Sequence, residues 1–285
     1  MRLVSFVRDG RASFGAIEDD GVRDVGAVMG PAYPDLRSVL ADDEGLSRLR
    51  EALPDAPRVD VSTVAWLPVI PNPSKIFCIG HNYEAHRVET GRPKTTFPAV
   101  FTRFAASQVG HDQEGWIPAE STDVDFEGEL AVVIGRGGRR IARDQALAHV
   151  AGYACYDDLS VRDWQRHTSQ FTPGKNFART GAFGPWLVTA DGIPDPQTLD
   201  LTTRVNGRVM QQANTARMIF RVDELIAYCS TFTPLEPGDV IVSGTPGGVG
   251  VRRDPPIFLA PGDVVEVEIT GIGILRTRMV AEPTA

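Results

Sequence analysis

Asp123-Val-Asp-Phe-Glu-Gly-Glu-Leu-Ala-Val-Val-Ile-Gly135 joins an acidic lead to an apolar run, and the architecture turns on how it is read. Leu130 to Ile134 is rich in β-branched residues and reads as a buried strand. Glu127 and Glu129 stand two apart, so an extended backbone sends both side chains to one face. Like charges held that close in a low-dielectric space are costly. One of them is protonated, a basic residue lies between them, or a divalent cation holds both. Gly152-Tyr-Ala-Cys-Tyr-Asp-Asp-Leu159 is a second apolar run ending in carboxylates, and Asp158 is placed to supply a third oxygen. Three carboxylates without Cys or His form a hard site, suited to Mg, Mn or Ca rather than Zn or Cu. The plainer alternative puts both glutamates on a solvent-facing side, with Asp158 capping the helix that follows.

Working outward, Lys75-Ile-Phe-Cys-Ile-Gly80 is a short strand leading into His81-Asn-Tyr-Glu-Ala-His-Arg-Val-Glu89. The latter lacks strand alternation and fits a helical turn. It would place His86 and Glu89 on one face as an imidazole–carboxylate pair suited to general-base work; the plain reading is a surface pair. Pro98 to Phe104 is a strand carrying Arg103. Helical patterns are expected over Gln145–Val150, over Ser160–His167 and over Phe220–Phe232, the last with Val222, Leu225, Ile226 and Cys229 inward. Lys175 is the only lysine after Lys94, in a chain whose other cations are almost all arginine, and this marks it beside its plain reading as a loop lysine. Asn206-Gly207 predicts a type I′ hairpin between Leu201–Val205 and the strand from Arg208. Asp239 to Gly244 is a strand entering Thr245-Pro-Gly-Gly-Val-Gly250. That turn lacks the lysine and spacing of a P-loop, which argues against nucleotide binding, yet it can bring Gly244, backbone N–H groups and the Thr245 hydroxyl to a small anion. Two strands end the chain.

Residues 1–28 alternate apolar runs with Asp-Gly turns and predict a small antiparallel meander. Leu36 to Leu53 has helical spacing, and the proline-rich stretch 54–73 reads as a connector. The expected organisation is a small N-terminal α+β domain, residues 1–70, followed by a β-dominated domain, residues 71–285. Across 285 residues, the net charge of −8 and the absence of a basic run argue against nucleic acid. Cys78, Cys155 and Cys229 lie in apolar runs and read as reduced core thiols. No stretch has the pattern of a secretory signal or a membrane span, so the expectation is a cytoplasmic protein with no membrane partner.

Five pieces in order resemble the fumarylacetoacetate hydrolase superfamily in its smaller, bacterial-type branch. They are Gly80-His-Asn-Tyr-Glu-Ala-His86 with Glu89, Asp125 to Gly135, Tyr156-Asp-Asp-Leu-Ser-Val-Arg-Asp-Trp-Gln165, Gly174-Lys175, and Ser243-Gly-Thr-Pro-Gly-Gly-Val-Gly250. The resemblance implies an α+β, β-dominated fold built on a mixed β-sandwich roll, usually a homodimer. It further implies Mg²⁺ or Mn²⁺ on Glu127, Glu129 and Asp158, with His86, Glu89 and Lys175 catalytic. Gly244 and Thr245 would face a substrate carboxylate; Arg103 and Gln165, with Gln108 and His111, are candidates for lining the pocket. The expected activity is metal-assisted C–C bond hydrolysis of a small acylpyruvate-type oxo acid, as in the catabolism of aromatic compounds. Decarboxylation of an oxaloacetate-like acid and isomerisation of a hydroxymuconate-type diacid are the alternatives, and a metal-bound protein without turnover is the reading from another class. One departure stands out: many members carry an Asp shortly after the lysine, where this chain has Ala178.

Overall fold

The computed structural model describes residues 1–19 and 21–283. The amino-terminal meander forms as expected from β1 (Arg2–Arg8), β2 (Arg11–Glu18) and β3 (Gly21–Asp24), followed by the one-turn helix α1 (Gly26–Met29). The single helix expected over Leu36–Leu53 is instead two, α2 (Leu36–Leu40) and α3 (Gly45–Ala52). Asp42 accounts for the break, because its carboxylate accepts the Glu44 N–H at 3.0 Å and offers the backbone a turn in place of a continued helix. After β4 (Arg58–Asp60) and β5 (Ala65–Trp66) come β6 (Ile76–Gly80), α4 (Glu84–Glu89), β7 (Ala99–Arg103), β8 (Gln108–Val109), β9 (Glu114–Ile117) and β10 (Val124–Asp125).

The acidic stretch supplies β11 (Gly128–Ile134), which returns as β12 (Val150–Asp158) through a 3₁₀ turn at Arg143–His149. The helix expected over Ser160–His167 is shorter. Ser160 pairs with Asp125 to make β13 (Ser160–Val161), leaving only α5 (Arg162–Gln165) helical. The chain continues through α6 (Thr172–Lys175), β14 (Gly181–Thr189), β15 (Asp200–Val205), β16 (Arg208–Asn214), α7 (Val222–Phe232), β17 (Val240–Val242), β18 (Val264–Ile269) and β19 (Gly273–Ala281). Asn206 and Gly207 both adopt positive φ at the β15–β16 turn, as a type I′ hairpin requires.

The fold is α+β and strand-dominated. One large mixed sheet runs in the order β4-β3-β2-β1-β14-β12-β11-β17-β6-β7, with β5 added to β1 and β8 to β14. The smaller sheet, β16-β15-β18-β19-β9, packs beside it. Residues 2–3 pair with 187–188, so the amino-terminal strands extend the large sheet. β11 is covered on both sides, which explains its unbroken apolar run. Leu130, Val132 and Ile134 pack with Val222, Leu225, Ile226 and Cys229 of α7, whereas Ala131 and Val133 pack with Leu36 and Val39 of α2.

Topology then fixes where chemistry gathers. β17 lies parallel to β6, β11 antiparallel to β17, and β12 antiparallel to β11. The end of β6, the end of β17, the start of β11 and the end of β12 therefore share one edge of the sheet. The segments leaving or entering there carry His86, Thr245, Glu127 and Asp158.

Candidate active site

Alternation along the central strands selects the carboxylates. Glu127, Glu129 and Ala131 share one face of β11 and its lead. On β12, Ala154, Tyr156 and Asp158 share the same side, and Ala131, Ala154 and Tyr156 pack in a common cluster there. Asp157 turns away, and its Oδ1 accepts the Glu127 N–H at 2.9 Å. Gly128 between the two glutamates admits no side chain, since a Cβ there would stand 2.0 Å from Thr203 Oγ1 of β15. Glu127, Glu129 and Asp158 are buried and offer oxygens within 4.8 Å of one another.

Of the outcomes open in the sequence, a basic residue is present, but it bridges Glu127 to Asp158 rather than Glu127 to Glu129. Lys175 Nζ, 1% exposed, sits 2.6 Å from Glu127 Oε2 and 2.6 Å from Asp158 Oδ2. It is delivered by α6, which passes so close to α5 that a Cβ on Gly174 would lie 2.3 Å from the Gln165 nitrogen. Burial opposes the charged lysine, but Asp158 and Glu127 outweigh it and raise its pKa. Glu127 is also opposed by burial, and Arg162 and Lys175 overcome this to hold it well below the usual carboxylate range. Glu129 has the opposite fate. Burial, then the neighbouring Asp158 and Glu127, push its pKa well above the ordinary value, even though the Gly244 N–H donates to its Oε2.

The donor set fits a divalent ion. Three buried carboxylates converge with hard oxygens, and one of them is starved of positive charge. Those same three residues would hold Mg²⁺ or Mn²⁺.

Opposite them, α4 carries His86, 5% exposed, with Nδ1 3.2 Å from Glu89 Oε2. Glu89 is fixed in turn by the Gly248 N–H at 3.1 and 3.2 Å. His81 stacks on His86, ring centroids 5.3 Å apart, and sits at φ 55°. Burial, then the nearby His86, lower the His81 pKa to about 4, so it is a neutral neighbour at ordinary pH. Between the His86 face and the carboxylates lies a cavity of about 310 Å³, lined among others by His81, His86, Glu127, Glu129, Lys175 and Thr245.

Four of the residues expected to touch substrate, Arg103, Gly244, Gln108 and His111, lie outside the cavity. Arg103 does not line the cavity: wholly buried, it pairs with Asp158 Oδ1, donates to Thr180 Oγ1 at 2.7 Å and contacts Leu159 O, so it holds a carboxylate rather than a ligand. Gly244 does not line it either; its N–H is committed to Glu129. Thr245 borders the cavity, but its hydroxyl donates to Gly128 O at 3.0 Å and accepts from Gln211 at 2.7 Å. Gln165 lines the cavity as expected, its Oε1 accepting from Arg162 at 3.0 Å. Gln108 and His111 lie outside, Gln108 bonded to the Tyr156 hydroxyl and His111 beside Asp112. Ala178, where the resemblance led to the expectation of an Asp, is exposed and absent from the lining.

Sequence reasoning missed Arg162. It lies inside a quoted motif, and its guanidinium bridges Asp125 Oδ2 at 2.8 Å and Glu127 Oε1 at 2.7 Å. Asp125 in turn accepts the Gly250 and Val251 N–H groups at 2.7 and 3.0 Å, tying the glycine-rich turn to the carboxylates. An arginine four residues after a buried acidic pair was the signal.

The model of the fumarylacetoacetate (FAA) hydrolase C-terminal domain matches residues 75–280. The chain belongs to the fumarylacetoacetate hydrolase family. Among curated relatives, the mitochondrial oxaloacetate tautomerase FAHD2A of Homo sapiens is 44% identical over 81% of this chain and 74% of its own length. A mitochondrial oxaloacetate tautomerase of Xenopus laevis is 46% identical over 77% and 69%. Among solved structures, the fumarylacetoacetate hydrolase of Exiguobacterium antarcticum superposes with a TM-score of 0.86 at 34% identity, covering 99% and 100% of the two chains. Maleylpyruvate hydrolase from Sphingobium, in complex with manganese(II) and pyruvate, gives 0.83 at 30% identity over 99% and 100%. Among the described residues, no helix is long and apolar enough to cross a membrane.

Proposed function

We propose that this member of the family moves a proton between the keto and enol forms of a small 2-oxo acid of the oxaloacetate type, with a divalent cation on Glu127, Glu129 and Asp158. The observation carrying this reading is the His86–Glu89 pair set across one small cavity from that carboxylate triad. The volume is at the lower end of the roughly 300–1,000 Å³ of ligand pockets, which favours a short substrate. The tautomerases among its relatives, at 44–46% identity, support the same choice.

A divalent cation held by Glu127, Glu129 and Asp158 would supply Lewis-acid polarisation of the 2-oxo group. His86 takes the proton from the carbon next to the 2-oxo group. The C–H electrons form the C=C bond, the C=O π pair moves onto oxygen, and that oxygen takes up a proton from the imidazolium or solvent to complete the enol. Ketonisation runs the same transfers in reverse. Glu89 holds the imidazole by Nδ1 and offsets the charge it gains. Lys175 and Arg162 keep Glu127 ionised and fixed, so little reorganisation accompanies the reaction.

C–C hydrolysis of an acylpyruvate is the second reading. A maleylpyruvate hydrolase that overlays nearly the whole chain, and holds manganese and pyruvate, favours it. It would need His86 to activate a water instead of a carbon acid. Metal-reconstituted protein, Mg²⁺ or Mn²⁺, is assayed against oxaloacetate and fumarylpyruvate, with enol absorbance followed and products identified by mass. Accelerated ketonisation of enol-oxaloacetate with no fragment released is the expected result. Two carboxylic fragments from fumarylpyruvate, with oxaloacetate untouched, would replace the tautomerase reading with the hydrolase one.

A further inference from the structure

The charges around the cavity change character from floor to mouth. At the floor, the carboxylates Asp125, Glu127, Glu129 and Asp158 face the cations Arg103, Arg162 and Lys175, each cation within ion-pair distance of at least one of them. A divalent ion there turns the small negative excess into a positive one. At the mouth stand Arg92, Arg166 and Arg252, exposed, lining the cavity, and with no carboxylate at ion-pair distance among the described residues. Some other surface arginines hold acids, Arg87 with Glu84 at 2.6 Å, Arg143 with Asp223 at 2.8 Å and Arg276 with Asp112 at 2.5 Å. What marks Arg92, Arg166 and Arg252 is that all three line this one cavity.

The three come from separate segments that the active site already ties together. Arg252 donates to the backbone oxygen of Thr90 at 3.4 Å, and the Thr90 hydroxyl donates to His86 O at 2.8 Å. The backbone oxygen of Arg92 accepts from Arg87 on α4, and the Arg92 charge acts on His81. Arg166 follows α5 directly, next to Gln165 and on the side of Arg162. A 2-oxo acid whose 1-carboxylate and oxo oxygen sat at the floor would therefore point its far end at cations that lack an acidic partner among the described residues. A planar, multi-donor guanidinium group suits a carboxylate there.

We infer that Arg92, Arg166 and Arg252 form a distal-carboxylate subsite that selects short 2-oxo dicarboxylic acids over 2-oxo monoacids. This rests on the oxo-acid reading above, and the experiment separates the two. Mn²⁺-loaded full-length protein is titrated calorimetrically with 3,3-difluoro-oxaloacetate, which has the distal carboxylate and no enolisable proton, and with pyruvate, which lacks the distal arm. The wild type binds the diacid at least tenfold more tightly. Each of R92M, R166M and R252M narrows that ratio about threefold to tenfold, chiefly by weakening the diacid, and the preference falls with added salt. Equal affinity for both ligands in the wild type, or variants that weaken both alike, would overturn the subsite while leaving the oxo-acid reading standing. Failure of the manganese-loaded protein to bind either ligand would remove both.

Discussion

The floor and the mouth of the cavity answer the same problem, holding charge beside a small anion, in opposite ways. At the floor the side chains of Asp158 and Arg103 are fully shielded from water, and Lys175 and Glu127 nearly so. There each cation is locked to a carboxylate on a strand or short helix. At the mouth the arginines are exposed, lie on loops or, for Arg252, at the end of a 3₁₀ turn, and are left without acidic partners among the described residues. Burial forces pairing, because an unpaired charge away from water costs several kcal/mol. Solvation removes that demand, so mouth charges stay free for a ligand. The floor is therefore a fixed electrostatic frame and the mouth an adjustable filter, and substitutions in the two should fail differently.

The sharpest break of the comparison is Lys175→Met. Removing the ammonium leaves Glu127 and Asp158 buried without the cation between them. Unfolding in urea with chelator present should show a loss of about 3–5 kcal/mol, the usual cost of taking one partner from a buried pair. Saturating Mn²⁺ should restore part of it. Unchanged stability in chelator would mean that Lys175 is not the counter-charge of the floor.

Next in size is His86→Ala, expected to lower turnover by ~10²–10⁴ while the protein still binds manganese. Equilibrium dialysis with the metal, run beside the kinetics, keeps the two roles apart. Retained turnover would end the assignment of His86 as the proton carrier. Metal addition alone should stabilise the wild type by about 2.7 kcal/mol at a hundredfold excess over Kd, visible as a rise in Tm. Glu129→Gln should abolish most of that rise. If the rise survived intact, Glu129 would not be a ligand.

This split also explains what was legible in the sequence. The floor is written as short-range pattern: Glu127 and Glu129 at strand spacing before an apolar run, Asp158 at the end of another, a solitary lysine after a glycine. Strand alternation converts those spacings directly into a shared face, and the type I′ turn at Asn206-Gly207 and the inward face of α7 followed from equally local rules. Arg103 was misjudged because its partner, Asp158, is 55 residues away and only folding reveals it. Arg162 escaped notice although it lay inside a quoted motif, since its acceptors sit on β10 and ahead of β11. Arg92, Arg166 and Arg252 carry no mutual spacing at all. Their relation exists only because three loops meet over one edge of the sheet. The break between α2 and α3 was hidden by an apolar spacing that continues across it, while Asp42 ends the helix locally.

The smallest expected effect tests whether floor and mouth exhaust the site. Ala178 occupies the position where the family resemblance leads to the expectation of an Asp, two residues after Asn176, whose side chain holds the α6 turn to Thr102 O and Thr172 O. The side chain at 178 is exposed and does not line the cavity, so placing an acid there adds a solvated charge. Ala178→Asp should change stability by less than about 0.5 kcal/mol, the common range for exposed positions, and oxaloacetate turnover by less than about twofold. A large gain or loss of turnover, with manganese affinity unchanged, would show that this outward face meets the reaction through something beyond the single chain. A second subunit bringing its own surface against residue 178 would be the first arrangement to test, by comparing the oligomeric mass of the two proteins at assay concentration.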